Sequence, residues 1–208
     1  MINVSIAGIG GQGSVLAARI LAQAAEAKGW QVRSAETIGM AQRGGDVMSH
    51  VRMGNAGEEG FSPLPAKGTV DVLIALEPGE AARALPYLKE NGLLVVASTG
   101  IPPVMANFKR QTYDPQHLID DMQAAGVKMV VVDDAELVHR LGEPKALNVM
   151  MLAYAIIAVN KREDCMDNAL RGAITLEDIE AAIPLCVKRK LVSVNEKAIK
   201  VVQQVARV

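Results

Sequence analysis

Ile2-Asn3-Val4-Ser5-Ile6-Ala7-Gly8-Ile9-Gly10-Gly11-Gln12-Gly13 is the stretch on which the fold turns. Ile2–Ala7 is short, rich in β-branched side chains and ended by glycines, which predicts a buried strand. Gly8-Ile9-Gly10-Gly11-Gln12-Gly13 then satisfies G-x-G-x-x-G where that pattern has structural meaning, directly after a strand and at a helix start. Gly10 and Gly11 can adopt backbone angles closed to other residues, and Gly13 lets the helix pack close to the strand. The helix start offers unpaired N–H groups and a partial positive charge, which suit a phosphate or carboxylate.

Outward from the turn, Gln12–Lys28 carries an apolar stripe of Val15, Leu16, Ile20 and Leu21 and predicts a helix, closed by Gly29. Gln31–Ala35 reads as a second strand. The order predicts a βαβ unit with parallel strands and a right-handed crossover. Glu36–Asp46 is polar, glycine-rich and matches neither periodicity, whereas Val47–Met53 alternates weakly like a strand. Asn55–Gly68 is a turn-rich connection. The pattern resumes with a strand at Val70–Leu76, a helix at Pro78–Lys89, a strand at Leu93–Ala97, a helix at Pro115–Ala125 and a strand at Lys128–Val132. Ala135–Leu141, Pro144–Val159, Leu176–Ile183 and Lys188–Val205 all read as helical. The expectation is an α/β protein with a Rossmann-like, mostly parallel sheet, helices on both faces and a helical C-terminal third. One domain over residues 1–208 is expected, its helical portion spanning about 144–208.

Composition narrows the chemistry. Aromatics supply only 3% of the 208 residues, so base-stacking platforms are disfavoured, and a net charge of −1 gives no field for nucleic acid or an anionic membrane. Cys165 and Cys186 lack CxxC spacing and hold no cluster or four-ligand zinc site by themselves, as expected of ordinary thiols in a reducing cytoplasm. The chain begins on a strand rather than a leader-like segment, and Val149–Val159 is too short to span a bilayer. No catalytic set and no metal site emerges: Asp133-Asp134 reads as helix capping, and His117 and His139 as surface residues. The run Asn148–Tyr154 reads as a buried helix or, through its methionines, as adaptable contact surface.

The remaining candidates face two ways. Glu36 lies about 20 residues beyond the turn, where a dinucleotide-binding protein places its ribose-binding acid; a free-standing NAD- or FAD-binding protein is therefore one reading. A tight turn needed only for packing is another. The loop Thr37–Asp46 offers backbone donors and Arg43, whose guanidinium can grip an anion in a fork. Ser49 and His50 sit in the following strand; His50 titrates near neutrality, yet no nucleophile or carboxylate is spaced to form a triad with it.

Two segments in this order, Gly8–Gly13 (GIGGQG) and, about thirty residues on, ETIGMAQRGGDVMSHVRMG from Glu36 to Gly54, resemble the gamma-type subunits of the 2-oxoacid:ferredoxin oxidoreductases. The similarity is strongest to the small-subunit branch of the indolepyruvate enzymes. DVLIALEP, LLVVAS and the Gly142–Asn148 stretch also fit. The resemblance implies a chain without cofactors of its own, bound to a large subunit that carries thiamine diphosphate, magnesium and iron–sulfur clusters. Such a complex oxidatively decarboxylates a 2-oxoacid to an acyl-coenzyme A and reduces ferredoxin. It further implies that Gly8, Gly10, Gly11, Gln12, Gly13, Arg43, Ser49 and His50 form a face toward coenzyme A or the partner, and that the Glu36 match is coincidental. This chain lacks a cysteine set for a cluster and a GDG-type acidic motif for thiamine diphosphate, which agrees with that division of labour.

Overall fold

In the computed structural model, which describes residues 1–39, 45–54, 57–58, 62–102 and 113–206, the fold is built around its first strand. The strands are β1 (Ile2–Ile9), β2 (Gln31–Ile38), β3 (Asp46–Gly54), β4 (Val70–Ala75), β5 (Leu88–Ala97) and β6 (Met129–Val132). They form one six-stranded sheet in the order β2-β3-β1-β4-β5-β6. β4 pairs in parallel with β1, β5 with β4, and β6 with β5, while β3 runs antiparallel to both β1 and β2.

The helices are α1 (Ser14–Ala27), α2 (Pro78–Ala84), α3 (Pro115–Ala124), α4 (Asp134–Leu141), α5 (Leu147–Lys161), α6 (Leu176–Cys186) and α7 (Arg189–Val205). On one face of the sheet, Ile2, Val4, Ile6, Val72 and Ile74 pack with α1 and α5. On the other, Ala7, Leu73, Ala75, Leu94 and Val96 pack with Ala81 and Ala84 of α2 and Ile119 and Met122 of α3. The mostly parallel sheet with helices on both faces is the expected fold class. Every residue of α5 from Asn148 to Val159 is buried. A helix that is apolar all round needs cover on all sides, and α5 finds it between the sheet and the outer helices α6 and α7.

Two expectations are corrected. β1 and β2 do run in the same direction, but β3 lies between them, so they are not paired neighbours. The side chains explain the order. β3 places Val51 and Met53 in one core and packs Met48 against the other, which suits an interior strand. β2 carries Arg33, Glu36 and Thr37 and is exposed along most of its length, which suits an edge. The helix expected over Pro78–Lys89 ends at Ala84, followed by a 3-10 turn at Leu85–Tyr87 and by β5 from Leu88. Pro86 has no N–H to donate and its ring clashes with the preceding turn, so the α-helix stops there.

Gly13 is the N-cap of α1, with φ 84° and ψ 25°. Its carbonyl accepts from Leu16 N–H (3.0 Å), Ala17 N–H (3.2 Å) and Asn148 Nδ2 (2.9 Å). A Cβ at this position would stand 2.6 Å from Asn148 Nδ2, whereas one at Gly11 (φ 104°) would meet nothing within 4 Å. We expect Gly11→Ala to cost only left-handed strain, about 1–2 kcal/mol. Gly13→Ala adds the displaced Asn148 contact and should lose about 1 kcal/mol more. Equal losses in urea denaturation would remove Asn148 from this account.

Candidate functional site

β1 and β4 are adjacent and parallel, yet α1 packs on one face of the sheet and α2 on the other. The chain therefore departs in opposite directions at their carboxyl ends and leaves a crevice there, the place where open α/β sheets bind ligands. The glycine turn forms one wall and Glu77–Gly79 the other.

Gln12 spans the crevice. Its Oε1 accepts from Ile9 N–H (2.7 Å) and its Nε2 donates to the Leu76 carbonyl (2.9 Å). Gly8 makes room for this, because a Cβ there would lie 2.9 Å from Gln12 Oε1 and 3.2 Å from Leu76 Cβ. Gly10 N–H donates to the Gly45 carbonyl (2.9 Å), and Ile9 stands opposite Asp46 in the β1–β3 register. The glycine turn and the start of the Gly45–His50 stretch are thus hydrogen-bonded at one edge. Among the described residues, the N–H groups of Gly11, Gly13, Ser14 and Val15 have no acceptor. They sit at the positive end of α1, which has no side-chain cap.

Glu77 closes the opposite wall. It is 2% exposed and caps α2, its Oε2 accepting from Glu80 N–H (2.9 Å). Its Oε1 accepts from Ile101 N–H (3.3 Å) and from the Tyr113 hydroxyl, and that hydroxyl in turn accepts from Gly79 N–H (3.1 Å). Burial pushes its carboxyl above the ordinary range against these backbone donors. Burial also raises Glu80, helped by the charges of Asp46 and Glu77 and opposed by Arg83, whose guanidinium lies 3.3 Å away. Two cavities of about 160 Å3 each meet at Asp46, Glu80 and Arg83. One reaches toward His50, Met48 and Tyr87, the other toward Ile9, Gly45, Ile101 and Tyr113.

The sequence candidates fall into three places. Gly8, Gly10, Gly11, Gln12 and Gly13 form the crevice wall, with Gln12 committed to the fold through both ends of its amide. Arg43 lies outside the described residues. Ser49 and His50 point to opposite faces of β3. The Ser49 hydroxyl is fully buried and has no partner among the described residues, beside a groove of about 270 Å3 that Arg19, Gln23 and Glu36 also line. His50 is 2% exposed, and its Nδ1 lies 2.8 Å from Ser5 Oγ on the face shared with Tyr87, whose ring centroid is 5.7 Å away. The Ser5 hydroxyl is fully buried and has no other partner among the described residues, so the pair is closed on itself, with the tautomer of His50 setting which group donates.

Glu77, Glu80, Arg83, Tyr87 and Tyr113 escaped the sequence reading. Glu77-Pro78 directly after an apolar strand was the available signal, since an acid before proline at a strand's carboxyl end is an N-cap facing the crevice. Asp133 caps α4 by accepting from Glu136 N–H (2.9 Å), and His117 and His139 are exposed, as the sequence suggested.

The family model for pyruvate ferredoxin/flavodoxin oxidoreductase matches residues 3–207. The chain belongs to this family. Among its relatives, "Indolepyruvate oxidoreductase subunit IorB" of Archaeoglobus fulgidus is 32% identical over 200 residues, covering 96% of this chain and 92% of that protein. "Pyruvate/ketoisovalerate oxidoreductases common subunit gamma" of Pyrococcus furiosus is 25% identical over 192 residues, covering 88% and 94%. The solved gamma subunit of a keto/oxoacid ferredoxin oxidoreductase from Geobacter sulfurreducens shares the fold with a TM-score of 0.65 at 21% identity, covering 98% of this chain and 97% of that one. A 2-oxoglutarate:ferredoxin oxidoreductase from Magnetococcus marinus gives a TM-score of 0.68 at 16% identity; the match covers 99% of this chain and 31% of that longer one.

The described residues do not fit a metal centre. None of them form a group of three or more His, Cys, Asp or Glu placed to hold a metal ion. Cys165 is buried beside Asp164, and Cys186 sits at the end of α6 against the Arg19 carbonyl. No described helix is long and apolar enough to cross a membrane.

Desolvation lowers the His50 pKa from 6.5. The unfolded chain therefore takes up this proton before the native one, so the contribution of His50 is fully present above pH 6.5 and is lost as pH falls through the lowered value. We expect His50→Gln, which keeps a hydrogen-bonding group for Ser5, to flatten the loss of stability that sets in as pH falls below 6.5. Parallel stability–pH curves for variant and wild type would show that His50 does not titrate this way.

Proposed function

We propose that the chain is the small, gamma-type subunit of a 2-oxoacid:ferredoxin oxidoreductase. In this reading a larger subunit holds thiamine diphosphate, magnesium and iron–sulfur clusters and carries out oxidative decarboxylation, while this chain lines the approach of coenzyme A. The product is an acyl-coenzyme A, and the electrons pass to ferredoxin. The observation that carries the reading is the Gly10–Gly45 hydrogen bond, which joins the two diagnostic segments at the mouth of the crevice. Next to it, the N–H groups at the start of α1 present the donor set and positive potential that a phosphate of coenzyme A requires. An aryl pyruvate such as indolepyruvate is the substrate class supported by relatives named for indolepyruvate at 30–32% identity, against 24–26% for those named for pyruvate or ketoisovalerate. A cytoplasmic location accords with ferredoxin as acceptor.

A free-standing dinucleotide-binding protein is the second reading, and the strand order weakens it. With β3 between β1 and β2, Glu36 stands two strand spacings, roughly 10 Å, from the strand that feeds the glycine turn. The ribose contact of a dinucleotide needs that acid beside the turn.

Purification from the native host should recover the chain with a larger thiamine-dependent subunit; an active enzyme recovered from this chain alone would overturn the proposal. In the assembled enzyme, Gly11→Asp sets a negative charge beside the α1 N-terminus, and Gly11→Asn is its uncharged control. The KM for coenzyme A should be about tenfold higher for Asp than for Asn, a difference of about 1.4 kcal/mol, with the KM for the 2-oxoacid unchanged. Equal coenzyme A values for the two variants would clear the turn of phosphate binding.

A further inference from the structure

On the α1 face of the sheet, a groove contains a hydroxyl with nothing to bond. Ser49 is 0% exposed, and its Oγ has no hydrogen-bond partner among the described residues. Val51, two residues along β3, belongs to the core beneath α1, so Ser49 points to that same face. There it lines a cavity of about 270 Å3 between α1 and the strands β2 and β3. Ala18 and Ala22 of α1 also line the cavity, and side chains that end at Cβ leave it open. A buried hydroxyl left this way destabilises the empty protein, and a solute able to bond it recovers that loss on binding.

The walls carry opposite charges that do not meet. Arg19 and Gln23 lie one turn apart on α1, so both reach the same stretch of the groove. Glu36 stands directly opposite Ser49 in the β2–β3 register and shares its face. Both Arg19 and Glu36 line the groove, yet neither forms an ion pair with any described residue. Glu26 adds a second carboxylate to the lining. An anion alone would face two carboxylates, and a cation alone would leave the guanidinium without a partner. A solute carrying both charges satisfies both walls. At about 270 Å3 the cavity lies just under the roughly 300 Å3 at which pockets for drug-sized ligands begin, which suits one small molecule. None of Gly8–Gly13 is among its described lining residues, so the groove is separate from the crevice at the glycine turn.

We propose that this groove binds a free α-amino acid as its zwitterion. The ammonium donates to Ser49 Oγ and is balanced by Glu36. The carboxylate takes the Arg19 guanidinium, with Gln23 Nε2 as a further donor. An α-amino acid differs from the matching 2-oxoacid in carrying an ammonium-bearing carbon where the oxoacid has a carbonyl. The groove therefore selects the amino form and rejects the oxo form. The inference concerns this chain's own residues and does not rest on the subunit reading.

The full chain is screened against the common L-amino acids by melting temperature. The most stabilising one is then titrated by calorimetry beside its own 2-oxoacid and its decarboxylated amine. We expect saturable binding of the amino acid and binding of both analogues at least about tenfold weaker. Ser49→Ala removes the unpaired hydroxyl. It should raise the melting temperature of the ligand-free chain while weakening the amino acid about tenfold, a pair of effects that a serine needed only for folding does not give. Arg19 and Glu36 are exposed, so Arg19→Gln and Glu36→Gln should fold as the wild type does. The first should erase the preference over the amine, and the second the preference over the 2-oxoacid. A groove that holds only ordered water gives no shift with any amino acid and overturns the proposal. So does Ser49→Ala binding within twofold of wild type, and so does a 2-oxoacid that binds as tightly as its amino acid.

Discussion

Gln12 holds the two halves of the sheet's carboxyl edge together. One side-chain amide accepts from the chain leaving β1 and donates to the chain leaving β4, across the line where successive helices part to opposite faces. The crevice exists because those helices diverge, and it keeps a fixed width because Gln12 crosses it. The requirement reaches back into the sequence. Gly8 must lack a Cβ for the amide to fold inward, and Gly13 must accept left-handed angles for α1 to start where it does. Asn148, far along the chain, ties the same corner to the buried helix α5. A pattern that reads as a nucleotide fingerprint is thus spent largely on architecture, and what is left for a ligand is the fan of N–H groups beyond it.

The fold was legible where local pattern and tertiary need agree. The buried strands β1, β4 and β6, the α1 stripe and the uniformly apolar α5 all announce themselves by period or by the lack of it. Strand order was not legible. β2 and β3 are of similar length, 8 and 9 residues, and nothing local says which one touches β1; that is settled by which strand can bury side chains on both faces. The early end of α2 at Pro86 was legible in principle, and the helical spacing of the flanking residues masked it.

The site divides along the same line. The glycine turn and the Ser49-His50 pair stand out by residue type, but their partners do not. Ser5 looks like a stray polar residue in a core strand until the register sets it against His50. Glu77 looks like a helix cap until Ile101 and Tyr113, 24 and 36 residues downstream, are found on the same carboxylate oxygen. Such couplings are made by the sheet, which brings strand ends together irrespective of their spacing along the chain. Ser49 and His50 show the converse: neighbours in sequence, they serve opposite faces because a strand alternates.

The place of β3 between β1 and β2 also sets the order in which this chain acquires its sheet during synthesis. Residues up to Ile38 contain two strands and a helix, yet no native strand pair, because both strands wait for β3. A nascent chain cut short there has nothing to zip. Once Asp46–Gly54 leaves the ribosome, both ladders have the strand they share, and the amino-terminal part of the protein can pass from a string of elements into a sheet.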